Sequence, residues 1–297
     1  MRAIEFAEYG SSEVLTLQEA DLPEPGPGQA RVAVRFAGVN PFDWKVRAGI
    51  MPGVVRLPYR PGLELSGVVD AVGEGAAVAV GDEVLGWAAT GSYAEYALAS
   101  VLVPKPETMS WQDAAALPVA GEAALRAVGL LAVESGEVVL IHGASGVVGS
   151  LATQLAVARG ATVIGTCGGD SAEIVESLGA TPVAYGEGLV ERVRAISPRI
   201  DAVLDAAGKG ALPDSMELRG GTERIVTLAD PAAFDLGITF SSKGNQNTEV
   251  LTELTDLAAA DRLLIRQARS YPLAEAAQAQ DDSATGHSGG KILLDLR

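Results

Sequence analysis

The sequence predicts an α/β protein in which a doubly wound parallel-sheet domain interrupts a small, barrel-like all-β module. Three observations carry that expectation. Val138–Thr166 reads as a short apolar run, a glycine-rich turn, a helix-length segment and a second apolar run, which is the pattern of a βαβ unit of about thirty residues. Short apolar strands then alternate with helical segments up to the helix expected over 248–260. Residues 1 to about 110 have a different texture, with closely spaced strands separated by turn signals such as D-L-P-E-P-G-P-G-Q.

The turn in the βαβ unit is Gly143, Ala144, Ser145, Gly146, Val147, Val148, Gly149. Glycine is needed where the backbone takes a positive φ or a ligand approaches it closely. The helix that follows directs its free N–H groups and positive dipole end at the turn, so an anionic pyrophosphate is its natural occupant. These seven residues are the candidate phosphate-binding turn. The alternative is a glycine turn that only packs helix on strand.

Composition narrows the function classes. The chain has 297 residues, 48% of them hydrophobic, enough for one large or two ordinary domains with a sizeable core. Its 22 Lys and Arg against 38 Asp and Glu give a net charge of −16. A field of that sign repels nucleic acid and anionic lipid surfaces, so neither is an expected partner. The single cysteine, Cys167, rules out an internal disulfide and a multi-cysteine zinc site. Neither a signal-peptide core nor an apolar run of about 18 residues is found, and the expected compartment is a reducing cytoplasm.

Taken in order, strands are expected at Ile4–Phe6, Leu15–Ala20 and Arg31–Val39, with Val32, Val34 and Phe36 on one face. Asn40 suits an N-cap and Pro41 the first helical position. Further strands are expected at Leu65–Val72, Val84–Trp87 and, as a pair, Ser92–Val103. Ser110 reads as the N-cap of a helix with Asp113 in its first turn. After the βαβ unit come helices at 172–178 and 189–196 and strands at 182–184, 202–205, 225–228 and 238–240. The tail returns to short strands and is expected to rejoin the first module. The predicted domains are therefore 1–112 with 253–297, and 113–252.

The order of landmarks resembles the quinone oxidoreductase branch of the zinc-independent medium-chain dehydrogenase/reductases. The matching residues are G-V-N-P-F-D-W-K at 38–45, P-G-L-E-L-S-G-V-V at 61–69, G-D-E-V-L-G at 81–86, G-S-Y-A-E-Y at 91–96, A-A-A-L-P at 114–118, V-L-I-H-G-A-S-G-V-V-G at 139–149, L-G-A at 178–180, V-L-D-A-A-G at 203–208, Y-P-L-A-E-A-A at 271–277 and G-K-I-L-L at 290–294. They span nearly the whole chain. The resemblance implies a GroES-like β-barrel domain, an inserted Rossmann-type domain and a cleft between them. It also implies hydride transfer from NADPH to a small-molecule quinone or α,β-unsaturated carbonyl compound. The family's dimers imply a homodimer, with the run Ile238–Phe240 as the pairing edge strand.

The cofactor choice rests on the ribose end. Twenty positions after Gly146 stands Thr166, with no carboxylate to pair with a free 2′-hydroxyl, which favours NADPH. The family lysine that grips the 2′-phosphate aligns with Ser171, Asp170 is adjacent, and Tyr185 matches a family tyrosine that donates to the same phosphate. The resemblance adds Ala206 and Leu228 to the cofactor set. Relatives that use a catalytic zinc place a cysteine near Asn40. Here Cys167, His142 and His287 lie far from one another in sequence, so no metal site is expected.

For catalysis the candidates are Asn40, Lys45 and Tyr59, which must hold an acceptor and stabilise charge on its oxygen. Each keeps a plainer reading: Asn40 as an N-cap, Lys45 in an exposed pair with Asp43, Tyr59 as packing. Trp44 and Trp87 read as core or domain-interface residues. Two departures from the resemblance stand out. G-E-A-A at 121–124 puts Ala123 where the family has a threonine and adds the charge of Glu122, and Val147 stands where a glycine is common.

Overall fold

The computed structural model describes residues 1–286 and 288–297; His287 lies outside the described residues. The chain divides into two compact units, Met1–Val119 with Gln246–Asp261 and Ile265–Arg297, and Ala120–Asn245 with Arg262–Leu264.

The first unit begins with β1 (Arg2–Glu5) and β2 (Thr16–Glu19), an antiparallel pair. There follow β3 (Ala30–Val39), α1 (Pro41–Arg47), β4 (Glu64–Val72), β5 (Glu83–Trp87), β6 (Tyr96–Ala99), β7 (Val101–Pro104) and α2 (Trp111–Leu130), whose residues from Ala120 onward belong to the second unit. The Ser110 hydroxyl oxygen accepts the Asp113 N–H at 3.0 Å, so α2 starts with the expected cap.

In the second unit the strands are β8 (Val138–His142), β9 (Thr162–Cys167), β10 (Thr181–Ala184), β11 (Ala202–Asp205), β12 (Ile225–Thr227) and β13 (Thr239–Phe240). Between them run α3 (Val147–Ala158), α4 (Ala172–Ser177), α5 (Leu189–Ile196), α6 (Leu212–Arg219) and α7 (Ala233–Leu236). All six strands are parallel, in the order β10-β9-β8-β11-β12-β13. That is the doubly wound order, with β8 and β11 meeting where the direction of winding reverses. The central strands read as continuous apolar runs because helices cover both faces. Leu140, Ile164, Val203 and Ile225 form a core with Val193 and Leu212.

The chain then returns through α8 (Thr248–Ala259), β14 (Gln267–Pro272), α9 (Ala276–Thr285) and β15 (Lys291–Asp295). β14 and β15 complete a seven-stranded sheet in the order β14-β15-β3-β4-β5-β7, with β6 also on β3. β3 can serve three partners because it is long: residues 30–33 pair β6, residues 36–39 pair β15, and β4 runs along its other side. The return to the first module is as expected, but α9 is not; its sequence, A-A-Q-A-Q-D-D-S-A-T, has too weak an apolar stripe to announce a helix.

The expected face of β3 needs correction. Val32 and Val34 lie in the main core of this unit, but Phe36 joins Ala115, Ala116 and Leu293 in a separate cluster. The β3–β4 register shifts between Val34 and Phe36, a bulge that reverses the alternation, so Ala37 and Val39 continue the Val32–Val34 face. Among the described residues no helix is long and apolar enough to cross a membrane.

Candidate functional site

Two constellations are candidates for chemistry, one in each unit. In the second unit the turn leaves β8 through Gly143 at φ +74° and enters α3 with Gly146 at the N-cap. The glycines do different work. A Cβ on Gly149 would stand 2.1 Å from the Gly143 carbonyl oxygen, so that position is closed by the backbone itself. A Cβ on Gly146 would meet only that same oxygen, at 3.2 Å, and Gly146 is exposed. Gly149 lets helix and turn pack, whereas Gly146 keeps the outer surface of the turn bare. The N–H groups of Val147, Val148 and Gly149 lie in the first turn of α3, where no intrahelical acceptor exists. Ala144 is buried, and Ser145 and Val147 are half-buried.

Thr166, expected at the ribose end, is bonded to the turn itself. It is 2% exposed and lies inside β9; its hydroxyl accepts the Gly143 N–H at 3.0 Å, and its carbonyl accepts the Ala144 N–H at 3.0 Å. It tethers the turn through both bonds. β9 ends one residue later, at Cys167, so Thr166 still lies inside the strand, where both residues are buried. Gly168 is the first residue beyond the strand, and a Cβ there would stand 3.9 Å from the Tyr185 hydroxyl. Tyr185, 62% exposed, directly follows β10, whose Ala184 pairs with Cys167. Gly168, Ser171 at the N-cap of α4, and Tyr185 therefore cluster at one corner of the sheet. Arg192, which sequence reasoning missed, braces that corner by donating to the carbonyls of Ala184, Gly186 and Glu187 at 2.9, 3.1 and 2.8 Å.

Ala206 and Leu228 follow β11 and β12, and both are half-buried. They stand with the turn at the carboxyl ends of the parallel strands, where ligands bind in open α/β sheets. His142 at the end of β8 is already committed: the Ser215 hydroxyl donates to the Ala211 carbonyl at 2.7 Å, so the His142 Nε2–H donates to Ser215 Oγ at 2.9 Å. Burial pushes its imidazole pKa down. The charge of Glu122 is also accounted for. Its carboxylate, buried, accepts from Arg126 Nε at 2.8 Å and from the Asn245 N–H at 2.8 Å, while Arg126 donates to the Ser241 carbonyl at 3.0 Å. Ala123 beside it is half-buried.

In the first unit Asn40 occupies the N-cap position of α1, but its carboxamide has other partners. Nδ2 donates to Glu64 Oε1 at 2.9 Å, and Oδ1 accepts from Lys291 Nζ at 2.6 Å. Lys291 also donates to Glu64 Oε1 at 2.5 Å, and the Val119 N–H reaches Glu64 Oε2 at 2.7 Å. Glu64, Asn40 and Lys291 are 0%, 4% and 3% exposed. Gly38 makes the room: a Cβ there would fall 2.2 Å from Glu64 Oε1. Pro118 inside α2 has no N–H and crowds the carbonyl four residues back, which opens the helix where Val119 turns to Glu64. Sequence reasoning missed Glu64 and Lys291. The available signal was a charged residue set in an otherwise apolar strand.

The expected Asp43–Lys45 surface pair does not form. Asp43 is fully buried and accepts from the Asn40 N–H at 2.8 Å, the Gly62 N–H at 3.2 Å and the Tyr93 hydroxyl at 3.2 Å. At the third position of α1 its side chain reaches back over the helix start, as in a capping box. Burial pushes its carboxyl up to about 6. Lys45 instead lies half-buried over the Trp44 ring, 5.7 Å from the centroid. Tyr59 packs edge-on against Phe6 at 5.7 Å, and burial, with the nearby Asp43 charge, pushes its hydroxyl up to about 12. Trp87 is core, at 4% exposure. The bonds of Asn40 go to Glu64 and Lys291, not to Lys45 or Tyr59.

The comparisons agree with this architecture. The family described as "Alcohol dehydrogenase GroES-like domain" matches residues 26–107, and that described as "Zinc-binding dehydrogenase" matches residues 178–294. A mouse quinone oxidoreductase is 31% identical over 99% of this chain and 98% of its own. The solved quinone oxidoreductase of Coxiella burnetii superposes with a TM-score of 0.91 at 34% identity, covering 100% of this chain and 99% of that one. The Escherichia coli quinone oxidoreductase, solved in complex with NADPH, gives a TM-score of 0.88 at 26% identity with full coverage of both chains. A GroES-like unit with a parallel-sheet Rossmann-like unit defines a medium-chain dehydrogenase/reductase, and the chain belongs to the quinone oxidoreductase family of that class.

The second family description implies a zinc ion, and the described residues offer no donor set that fits one. Among the described residues no three His, Cys, Asp or Glu side chains are grouped to hold a metal. Cys167 and His142 both lie in the second unit, and His142 is bonded to Ser215.

Proposed function

We propose that the protein is a zinc-independent, NADPH-dependent reductase of quinones or α,β-unsaturated carbonyl compounds. The observation that carries this reading is the phosphate turn, whose outer surface is bare at Gly146 while Thr166 fixes its backbone from below. The bound dinucleotide supplies the hydride. The chain's own part is to hold and orient. First-turn N–H groups of α3 would receive the pyrophosphate. Ser171 and Tyr185 would reach the 2′-phosphate, with Asp170 opposing it, so the preference for NADPH over NADH is modest. Ala206 and Leu228 would line the path of the cofactor along the strand ends.

On the acceptor side, Asn40 would donate to the carbonyl oxygen that gains charge. Tyr59, pushed up to about 12, keeps its proton through neutral pH and can act as a second donor. Lys45 adds a positive charge. The β-rich domain would hold the acceptor and the parallel-sheet domain the nucleotide. The assembly proposed is a cytoplasmic homodimer paired through β13, supported by Phe234, 71% exposed and 5.0 Å from the Phe240 ring on that edge strand.

The test is steady-state oxidation of NADPH with a panel of quinones and enones in the presence of a chelator. Turnover that persists under chelation is expected. A protein that binds NADPH but turns over none of the acceptors sinks the reductase reading. It would leave the second reading, a nucleotide-binding sensor without turnover, which Ala123 favours because the family's hydroxyl is absent there.

A further inference from the structure

We infer that Glu64 and Lys291 are positioning residues that fix which way the Asn40 carboxamide faces, so that Asn40 meets a substrate carbonyl as a hydrogen-bond donor. The inference rests on the reductase reading for its substrate and on the first unit alone for its geometry.

A carboxamide has nearly the same shape on its oxygen and nitrogen sides, so shape does not orient it. Charge does. The Lys291 ammonium has only donors and accepts nothing, so the atom against it at 2.6 Å must be Oδ1. An ionised Glu64 has only acceptors, so the atom against it at 2.9 Å must be Nδ2. A flipped Asn40 would set its NH₂ against an ammonium and its carbonyl against a carboxylate, two repulsive contacts in a buried site. Lys291 and Glu64 also bond to each other, and Glu64 is held from its second oxygen by the Val119 N–H. The lock thus draws on β4, β15 and α2 at once. It takes one hydrogen of Nδ2 for Glu64 and commits Oδ1 to Lys291, so the other Nδ2 hydrogen is the one the inference assigns to the ligand. A buried ion pair adds little to stability beyond what apolar residues of the same size would give, so stability alone does not account for this one.

The test uses the full chain with Lys291→Met, the double variant Glu64→Gln/Lys291→Met, and Asn40→Ala. The double variant leaves no charge buried alone, so it remains informative where Lys291→Met does not fold. The NADPH dissociation constant is expected to stay within about twofold while kcat falls at least about tenfold. Adding Asn40→Ala to the double variant is expected to cost less than a further twofold or so, because the effect runs through Asn40. In NMR the Nδ2 protons of Asn40, identified by their loss in Asn40→Ala, should exchange slowly with solvent in the wild type and markedly faster in the double variant, where the bond to the Glu64 carboxylate is gone. An unchanged kcat in the folded double variant, or losses that multiply in full with Asn40→Ala, overturns the inference. If the wild-type protein reduces no acceptor, the reductase reading falls by itself, and the amide exchange still decides the lock: equal solvent-exchange rates of the Asn40 Nδ2 protons in wild type and double variant overturn it.

Discussion

In the glycine turn of the second unit, proposed to receive the pyrophosphate, the groups on offer are backbone N–H groups, and side chains matter chiefly where they are missing. In the Asn40 network the working group is a side chain, held between two buried charges from β4 and β15. The difference teaches where each site is vulnerable. The first fails when an atom is added. The second fails when a charge is removed, since one partner is then left buried and unpaired.

The sharpest way to break the contrast lies within the turn, because its glycines are not equivalent. Gly149→Ala forces a Cβ against the Gly143 carbonyl oxygen and is expected to destabilise the second unit by roughly 3 kcal/mol, with cofactor binding lost alongside. Urea unfolding checks this, and an unchanged midpoint would contradict the packing role. Gly146→Asp meets one tight contact, the Gly143 carbonyl oxygen at 3.2 Å, which a shift of a few tenths of an ångström relieves, and an aspartate at the N-cap suits the helix, so the fold should survive. The added negative charge sits where a pyrophosphate would bind. NADPH affinity is expected to fall by more than about tenfold, or at least about 1.4 kcal/mol. A folded Gly146→Asp protein with an unchanged cofactor titration would remove the turn from the cofactor site.

A pH series sharpens the comparison from the side-chain site. Asp43 is pushed up to about 6 by burial, above its ordinary value of 3.8. Between those values the folded chain holds a proton that the unfolded chain has lost. Its contribution is therefore fully present below the ordinary value and declines as pH rises to about 6, by roughly 3 kcal/mol. Asp43→Asn is expected to flatten the urea-midpoint profile over that window. Equal slopes in wild type and variant would mean that the carboxyl titrates normally. The phosphate turn has no titrating side chain, and no matching pH dependence is expected from it.

The smallest effects concern the corner at Gly168. Asp170→Ser and Ser171→Lys together are expected to raise the NADPH-to-NADH affinity ratio about five- to thirtyfold, roughly 1–2 kcal/mol. Thr166→Asp is expected to weaken both cofactors alike, because its hydroxyl holds Gly143. Dissociation constants of both cofactors at fixed ionic strength check the pair, and a clean switch to NADH in Thr166→Asp would restore the ribose role.

Much of the fold was legible because it is written over short distances. The alternation of apolar runs and helices gives the parallel sheet, Ser110 caps α2 as its spacing with Asp113 suggests, and the turn stands between strand and helix where the motif requires it. Legibility fails where one residue of register matters. The bulge after Val34 sends Phe36 to another cluster, and the end of β9 at Cys167 keeps Thr166 inside the strand. Period-2 patterning names a strand without fixing which face each residue takes once a bulge intervenes.

By itself, then, the sequence determined the two-module architecture and the glycine turn between β8 and α3, since helix propensity, glycine placement and apolar periodicity act between near neighbours. Only the tertiary structure decided the surroundings of Asn40. Lys291 lies 251 residues from Asn40 and 227 from Glu64, and a charge inside an apolar strand announces a buried partner without saying which one. The pairing follows from β3 lying between β4 and β15, a long-range arrangement of strands that no local pattern encodes.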